Sequence, residues 1–328
     1  MRLLVVSDRL PPASRSGAGS VLLELIEQLQ VAGHTVDRLT LRSGSAIERS
    51  QSEIAIRRAL SKGPASVLTL GPSVTASVPV FRLLDGQHGE RADGGGLLGG
   101  LRRRVRSSRA GAEIGIVPTA PSKALFRSHP NARVLPTGID SERFRPRDEG
   151  RREGPIRLLF LGRLVPTRGA HAAIEAVVNL PGWALGKLQL DVVGAEEDGP
   201  YLAGLRRRAA DAPVTFHPDA AAVLPHLQRA DLAVLPSTAE DGWGRAILEA
   251  MACGVPVVHS TGGVLDAITG DAGVGVPAGN LKPLGETLRK LLRKPDELPA
   301  IGAVGREHVL AHHAWSAVLP RWIEGLSG

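Results

Sequence analysis

From Leu3 to Trp322 the chain alternates short apolar runs with segments whose apolar residues recur at helical spacing, in two successive series. That alternation is the pattern of parallel sheets covered by helices. In the first series, residues 3–7 read as a buried strand, 21–32 as an amphipathic helix ending at Gly33, and 34–39 as the next strand. Residues 67–70, 79–84 and 113–117 follow as strands. A polar, proline-containing stretch over 144–155 then breaks the apolar pattern and reads as a linker. The second series takes strands at 156–161, 188–193, 214–216, 232–235 and 255–259. Helices at 169–178, 201–210, 220–229, 244–252 and 281–293 alternate with them, and a helical tail runs through Trp315 and Trp322. Two doubly wound units in succession imply a cleft, with ligands held beyond the carboxyl ends of the strands.

Composition narrows the class. With 328 residues, 43% of them apolar, the chain can bury two cores, and disorder is excluded as the dominant state. No apolar run reaches the roughly 18 residues that cross a bilayer. The opening apolar run is too short for a signal peptide, so a cytoplasmic protein is expected. One cysteine, Cys253, excludes a disulfide framework and a thiolate zinc site. The net charge of +7 is uneven: residues 1–150 carry 22 Lys/Arg against 14 Asp/Glu. Much of that excess lies in Arg102, Arg103, Arg104, Arg106 and Arg109, and a helix over 97–109 would be cationic and amphipathic. Those arginines offer a peripheral contact with an anionic membrane. One Tyr and five Phe, none interleaved with them, argue against a nucleic-acid partner.

Several nucleotide motifs are missing. There is no G-x-x-x-x-G-K-[ST] loop, no Asp-x-Asp pair and no H-E-x-x-H, so neither a P-loop nor a metal site is visible. Gly17-Ala18-Gly19 lacks the third glycine of a dinucleotide fingerprint and stands ten residues beyond its strand. The two glycines still suit a helix start where backbone N–H groups approach a phosphate or sugar.

The strongest signal runs from Leu235 to Val258: a strand, a Gly-containing loop, a helix and another strand. Asp241 falls in the loop and Glu249 in the helix, seven residues between them. A carboxylate near a sheet edge can accept two hydrogen bonds from a ribose diol, and the helix N-terminus offers N–H groups to a diphosphate. Glu249 sits amid Ala246, Ile247, Leu248, Ala250 and Met251, where a carboxylate needs partners.

This segment resembles the Glu-x7-Glu and Ala-Met-Ala-x-Gly-x-Pro-Val-Val signature of retaining nucleotide-sugar glycosyltransferases of family 4, which have the GT-B fold. Asp8-Arg9-Leu10-Pro11-Pro12, Gly33-His34-Thr35-Val36 and residues 134–146 resemble further segments of that family. Leu161-Gly162-Arg163-Leu164, continuing to Arg168-Gly169, resembles its diphosphate clamp, with Arg168 in place of the usual Lys. Gly262-Gly263 and Asp266 resemble the next element, and Trp315-Ser316 the start of the final helix.

The resemblance implies an α/β chain of two Rossmann-like domains facing across a cleft: a shortened acceptor-side domain over 1–145, a linker over 146–155, and a donor-binding domain over 156–310. A C-terminal helix over 311–328 is expected to pack back on the first domain. It implies sugar transfer from a nucleotide diphosphate sugar to an acceptor hydroxyl, retaining and without a metal or cofactor. The catalytic candidates are Arg163, Arg168, Asp241, Glu240 and His88. The first carboxylate role is open between Asp241 and Glu240, and the place beside the sugar between His88 and Asp85. Donor binding is assigned to Gly17, Gly19, Arg163, Arg168, Gly194, Phe216, His217, Asp241, Gly242, Trp243, Gly244 and Glu249. The acceptor is a small molecule or a lipid-linked one. Two other readings share the fold: a sugar-nucleotide epimerase or phosphorylase, and a non-catalytic nucleotide-sugar-binding subunit.

Overall fold

Strand β1 (Arg2–Ser7) is buried on both faces from Leu3 to Ser7, as a central strand of a parallel sheet must be. The computed structural model describes residues 1–7, 17–41, 46–70, 79–83, 113–117, 132–147, 154–218, 222–238 and 242–327. Asp85, His88, Glu240, Asp241 and the arginines at 102–104 lie outside them. The described residues divide into two units, the first built on residues 1–138 and Trp315–Gly328, the second on 139–314 apart from the short segment at Trp243.

In the first unit, helix α1 (Gly17–Val31) buries Ala18, Val21, Leu22, Leu25, Ile26 and Leu29, one face at helical spacing. It ends where Gly33 turns back at φ +82°, a conformation that suits glycine. Strand β2 (Thr35–Thr40), helix α2 (Ala46–Leu60), β3 (Ser66–Leu70), β4 (Val80–Leu83), β5 (Glu113–Val117) and β6 (Arg133–Val134) follow. The sheet order is β2-β1-β3-β4-β5-β6, with Leu3 between Val36 and Ser66, and every pairing parallel. Helix α1 starts four residues before the expected 21. Helix α2 was not expected, because its sequence AIERSQSEIAIRRAL has no continuous apolar stripe.

The second unit opens with β7 (Ile156–Leu161) and continues through α3 (Ala170–Val178), the single turn α4 (Gly182–Leu185), β8 (Leu188–Gly194), α5 (Gly199–Ala209) and β9 (Val214–Pro218). Then come the turn α6 (Leu224–Leu227), β10 (Leu232–Leu235), α7 (Arg245–Ala252), β11 (Val257–Thr261), α8 (Val264–Thr269), β12 (Val274–Pro277), α9 (Leu281–Leu292) and α10 (Leu298–His312). The sheet order is β12-β11-β10-β7-β8-β9, again parallel throughout. In chain order within the unit that is 3-2-1-4-5-6, whose direction of winding reverses between β7 and β10.

Helices cover both faces of this sheet. Ile174, Leu205 and Leu288 pack with Leu158 and Leu190 on one; Leu227, Leu248, Met251 and Val309 pack with Leu159 and Val193 on the other. Ile139 and Phe144 are buried in that second layer, so Phe144, read as the first residue of the linker stretch, belongs to the core of this unit. The helix expected over 220–229 is one turn, α6. Strand β12 was not anticipated, because the glycine and proline of VGVP mimic a turn at what is the sheet edge.

The last helix, α11 (Trp315–Leu326), belongs to the first unit and packs with α1. Trp315 Nε1–H donates to Glu24 Oε2 at 2.9 Å, and Trp322 Nε1–H to the Pro136 carbonyl at 2.9 Å. Both indole donors are therefore satisfied inside an apolar core. No helix among the described residues is long and apolar enough to cross a membrane.

Candidate active site

The winding of the second sheet reverses between β7 and β10, and the loops leaving their carboxyl ends are tied together. The Thr167 carbonyl accepts from the Thr238 N–H at 2.9 Å and from Ser237 Oγ at 3.1 Å. Gly169 makes the approach feasible. Its φ is +80°, and a Cβ there would collide with the Pro236 carbonyl. At the neighbouring strand end, Gly194 lies so close to the Gly162 carbonyl that no side chain fits. Gly162 and Gly194 thus let β7 and β8 end flush, which sets the direction of the loop carrying Arg163.

Arg163 and Arg168 stand on this loop, both half-buried. Arg163 Nη1 pairs with Glu197 Oε2 at 2.8 Å. Arg168 closes the short turn Pro166–Arg168, whose Gly169 end leads straight into α3. On the first turn of α3, His171 Nδ1 and its backbone N–H meet the Tyr201 hydroxyl at 3.0 and 3.3 Å. Burial raises the Tyr201 phenol above its ordinary value, so it stays protonated at neutral pH.

After β10 the chain reaches α7 through Gly242 and Gly244, at φ +123° and +59°. A Cβ on Gly244 would overlap Ile268 Cδ1. Among the described residues no side chain caps α7, and its N-terminus follows the loop after β10. Glu249 is buried one turn in, and Arg245 Nε holds its Oε1 at 2.7 Å. The Arg245 guanidinium also lies 5.3 Å above the Phe144 ring. The second unit therefore brings Arg163, Arg168, Gly194, Gly244 and Glu249 to the carboxyl edge of one sheet.

The other expected donor residues have surroundings of their own. Trp243 is 2% exposed in the apolar core of the first unit, 6.2 Å from Trp322, and its carbonyl accepts from Thr137 Oγ1 at 2.8 Å. Its large apolar side chain is used for packing. Phe216 packs on the face of the second sheet that carries Leu158 and Leu190, with Arg206 over its ring. His217 turns to the opposite side, its Nε2 3.2 Å from Asp191 Oδ1. Gly17 and Gly19 stand in the first turn of α1, in the first unit, and Gly19 is buried. The candidates at 85, 88, 240 and 241 lie outside the described residues.

Two residues that matter here were not singled out from sequence. Arg245 carried a signal, its spacing of four from Glu249 on a helix. Glu197 carried none, because its partner is 34 residues away. His259 and Cys253 are inert core groups. His259 is bracketed by the Ser260 carbonyl and Thr269 Oγ1, both at 3.0 Å, and burial lowers its pKa. Burial pushes the Cys253 thiol up to about 12.

Comparison with known proteins gives consistent matches. Residues 155–294 match the family model described as glycosyl transferases group 1. The chain is 30% identical over 280 residues to the GDP-mannose-dependent monoacylated alpha-(1-6)-phosphatidylinositol monomannoside mannosyltransferase of Corynebacterium glutamicum, covering 77% of this chain and 72% of the relative. Among solved structures, the sucrose-phosphate synthase of Thermosynechococcus elongatus superposes with a TM-score of 0.79 at 19% identity, covering 99% of this chain and 98% of the other. Anabaena HepE in complex with UDP-glucose does so at 0.79 and 16%, covering 100% and 99%.

Proposed function

The chain belongs to the glycosyl transferase group 1 family, with its GT-B architecture of two Rossmann-like domains, and from that premise we propose how it moves a sugar. The donor is a nucleotide diphosphate sugar, the acceptor a hydroxyl on a small molecule or a lipid-linked glycan, and the anomeric configuration is retained. GDP-mannose and a lipid-linked mannoside are the pair to try first, because the C. glutamicum relative is named for both. The protein works in the cytoplasm, and Arg102, Arg103 and Arg104 supply its contact with an anionic membrane.

The observation that carries this reading is the hydrogen-bonded junction of Thr167 with Ser237 and Thr238 at the point where the second sheet reverses its winding. Ligands of open parallel sheets bind outside the strands at such a point. Within it, Arg163 and Arg168 clamp the diphosphate, and the N-terminus of α7 adds backbone N–H groups. Glu197 now holds Arg163, and a diphosphate, with its greater charge, displaces it. Glu249 accepts from the ribose hydroxyls while Arg245 holds its carboxylate in place.

As the bond to the anomeric carbon breaks, negative charge grows on the departing diphosphate and the sugar gains oxocarbenium character. Two guanidiniums already in place stabilise that charge without a metal. The family resemblance assigns the sugar to Asp241 or Glu240 and to His88 or Asp85, all four outside the described residues. No side chain serves as nucleophile: the donor's own phosphate oxygen helps take the proton from the acceptor hydroxyl.

Titration with nucleotide sugars tests the donor site directly. Glu249→Ala removes a charged acceptor worth about 1.5–3 kcal/mol, so donor affinity falls roughly 10- to 150-fold while the fold persists. Unchanged affinity in a folded variant would remove Glu249 from the site.

A further inference from the structure

Beyond the donor site, the edge of the second sheet gathers three side chains that share no motif. The register sets Val193 of β8 opposite His217 of β9, so Asp191, two residues before Val193, lies on the same face as His217. Helix α6 covers that face and brings His226 over it. His217 Nε2 is 3.2 Å from Asp191 Oδ1, and the two imidazole centroids are 4.5 Å apart. One ligand atom from each of the three residues lies within 4.8 Å of the other two.

We propose that Asp191, His217 and His226 bind a divalent transition metal of the zinc class. Two imidazoles and one carboxylate suit such an ion, whereas magnesium and calcium take oxygen ligands. Ligands of a tetrahedral zinc ion stand about 3.4 Å apart, given bonds of about 2.0–2.2 Å. The Asp191–His217 edge, at 3.2 Å, is already close to that length, and side-chain rotation brings His226 in. Arg157 Nη1 lies 3.5 Å from the other carboxylate oxygen, Asp191 Oδ2, and so orients the carboxylate with Oδ1 toward the histidines.

The Asp191 and His217 side chains are 12% and 31% exposed, which leaves an entry path and room for water as fourth ligand. A bound ion ties β8, β9 and α6 together at the sheet edge. Its role is to brace that edge, and the sugar transfer proceeds without it.

The test uses tag-free protein stripped of metal with a chelator, then titrated with Zn2+ and with Co2+. The proposal expects one equivalent bound, a visible Co2+ absorption typical of low coordination number, and a Zn2+-dependent rise in melting temperature. His226→Gln and Asp191→Asn, each checked for an unchanged far-ultraviolet circular dichroism spectrum, should lose the Co2+ spectrum and bind Zn2+ at least about tenfold more weakly. His226→Gln alters only a half-buried one-turn helix, so it tests the site even where Asp191→Asn fails to fold. Equal binding by wild type and His226→Gln, which would place the ion on other histidines such as His308 and His312, overturns the proposal. So does no binding at stoichiometric metal. The readout is metal binding, so it stands or falls independently of the transferase reading.

Discussion

Arg245 Nε lies 2.7 Å from Glu249 Oε1, one helical turn on, with side chains only 10% and 11% exposed. The pair holds the Glu249 charge against a guanidinium inside an otherwise apolar helix face. Removing Arg245 leaves that charge buried without its neighbour, and it also takes the guanidinium from above Phe144. Arg245→Ala should cost roughly 3 kcal/mol in urea unfolding. Arg245→Ala combined with Glu249→Ala should cost clearly less than the two single losses together, because the partners are coupled. Additive losses would mean that the contact carries no energy.

Gly169 tests the tie between the loops after β7 and β10. Its φ of +80° and the Pro236 carbonyl leave no place for a methyl group. Gly169→Ala should destabilise by about 1–3 kcal/mol and depress turnover further by spreading Arg168 from the loop at Ser237. Gly186, at φ −69° and where an added Cβ would meet only the Gly182 carbonyl oxygen at an ordinary 3.7 Å, is the control. Gly186→Ala should leave both stability and turnover near wild type. Equal behaviour of the two variants would contradict the steric account.

Trp243 separates packing from donor contact. Truncating a buried tryptophan to alanine costs about 3–5 kcal/mol, so Trp243→Ala should unfold at much lower urea. Trp243→Phe keeps most of the ring volume in the first unit's core. Donor titration of Trp243→Phe should match wild type, and a lost donor signal in this folded variant would put the indole on the ligand.

The apolar strands were legible because a central parallel strand buries both faces: 3–6, 158–161 and 232–235 are continuous apolar runs in strands at or beside the sheet centres. Edge elements were not, since β12 needs few apolar residues and α2 covers its side of the sheet with a sparse stripe. That Glu249 is buried was readable from its apolar neighbours, and the loop position of Arg163 and Arg168 from their place after a strand. Trp243 was assigned to the donor from its place between two glycines in a motif loop, and the structure sets its contacts with Thr137 and Trp322. The Asp191, His217 and His226 cluster was invisible because strand pairing and a single helical turn bring it together, not spacing along the chain.

The measurement that bears most directly on sugar transfer is release of nucleoside diphosphate from a nucleotide sugar, with and without acceptor. Release should depend on acceptor, persist in EDTA, and fall strongly in Arg163→Ala and in Arg168→Ala. The double variant should lose less than the two single losses combined, because both guanidiniums act on one diphosphate. Interconversion of the donor without acceptor, or full activity in both variants together with complete loss in EDTA, would contradict this account.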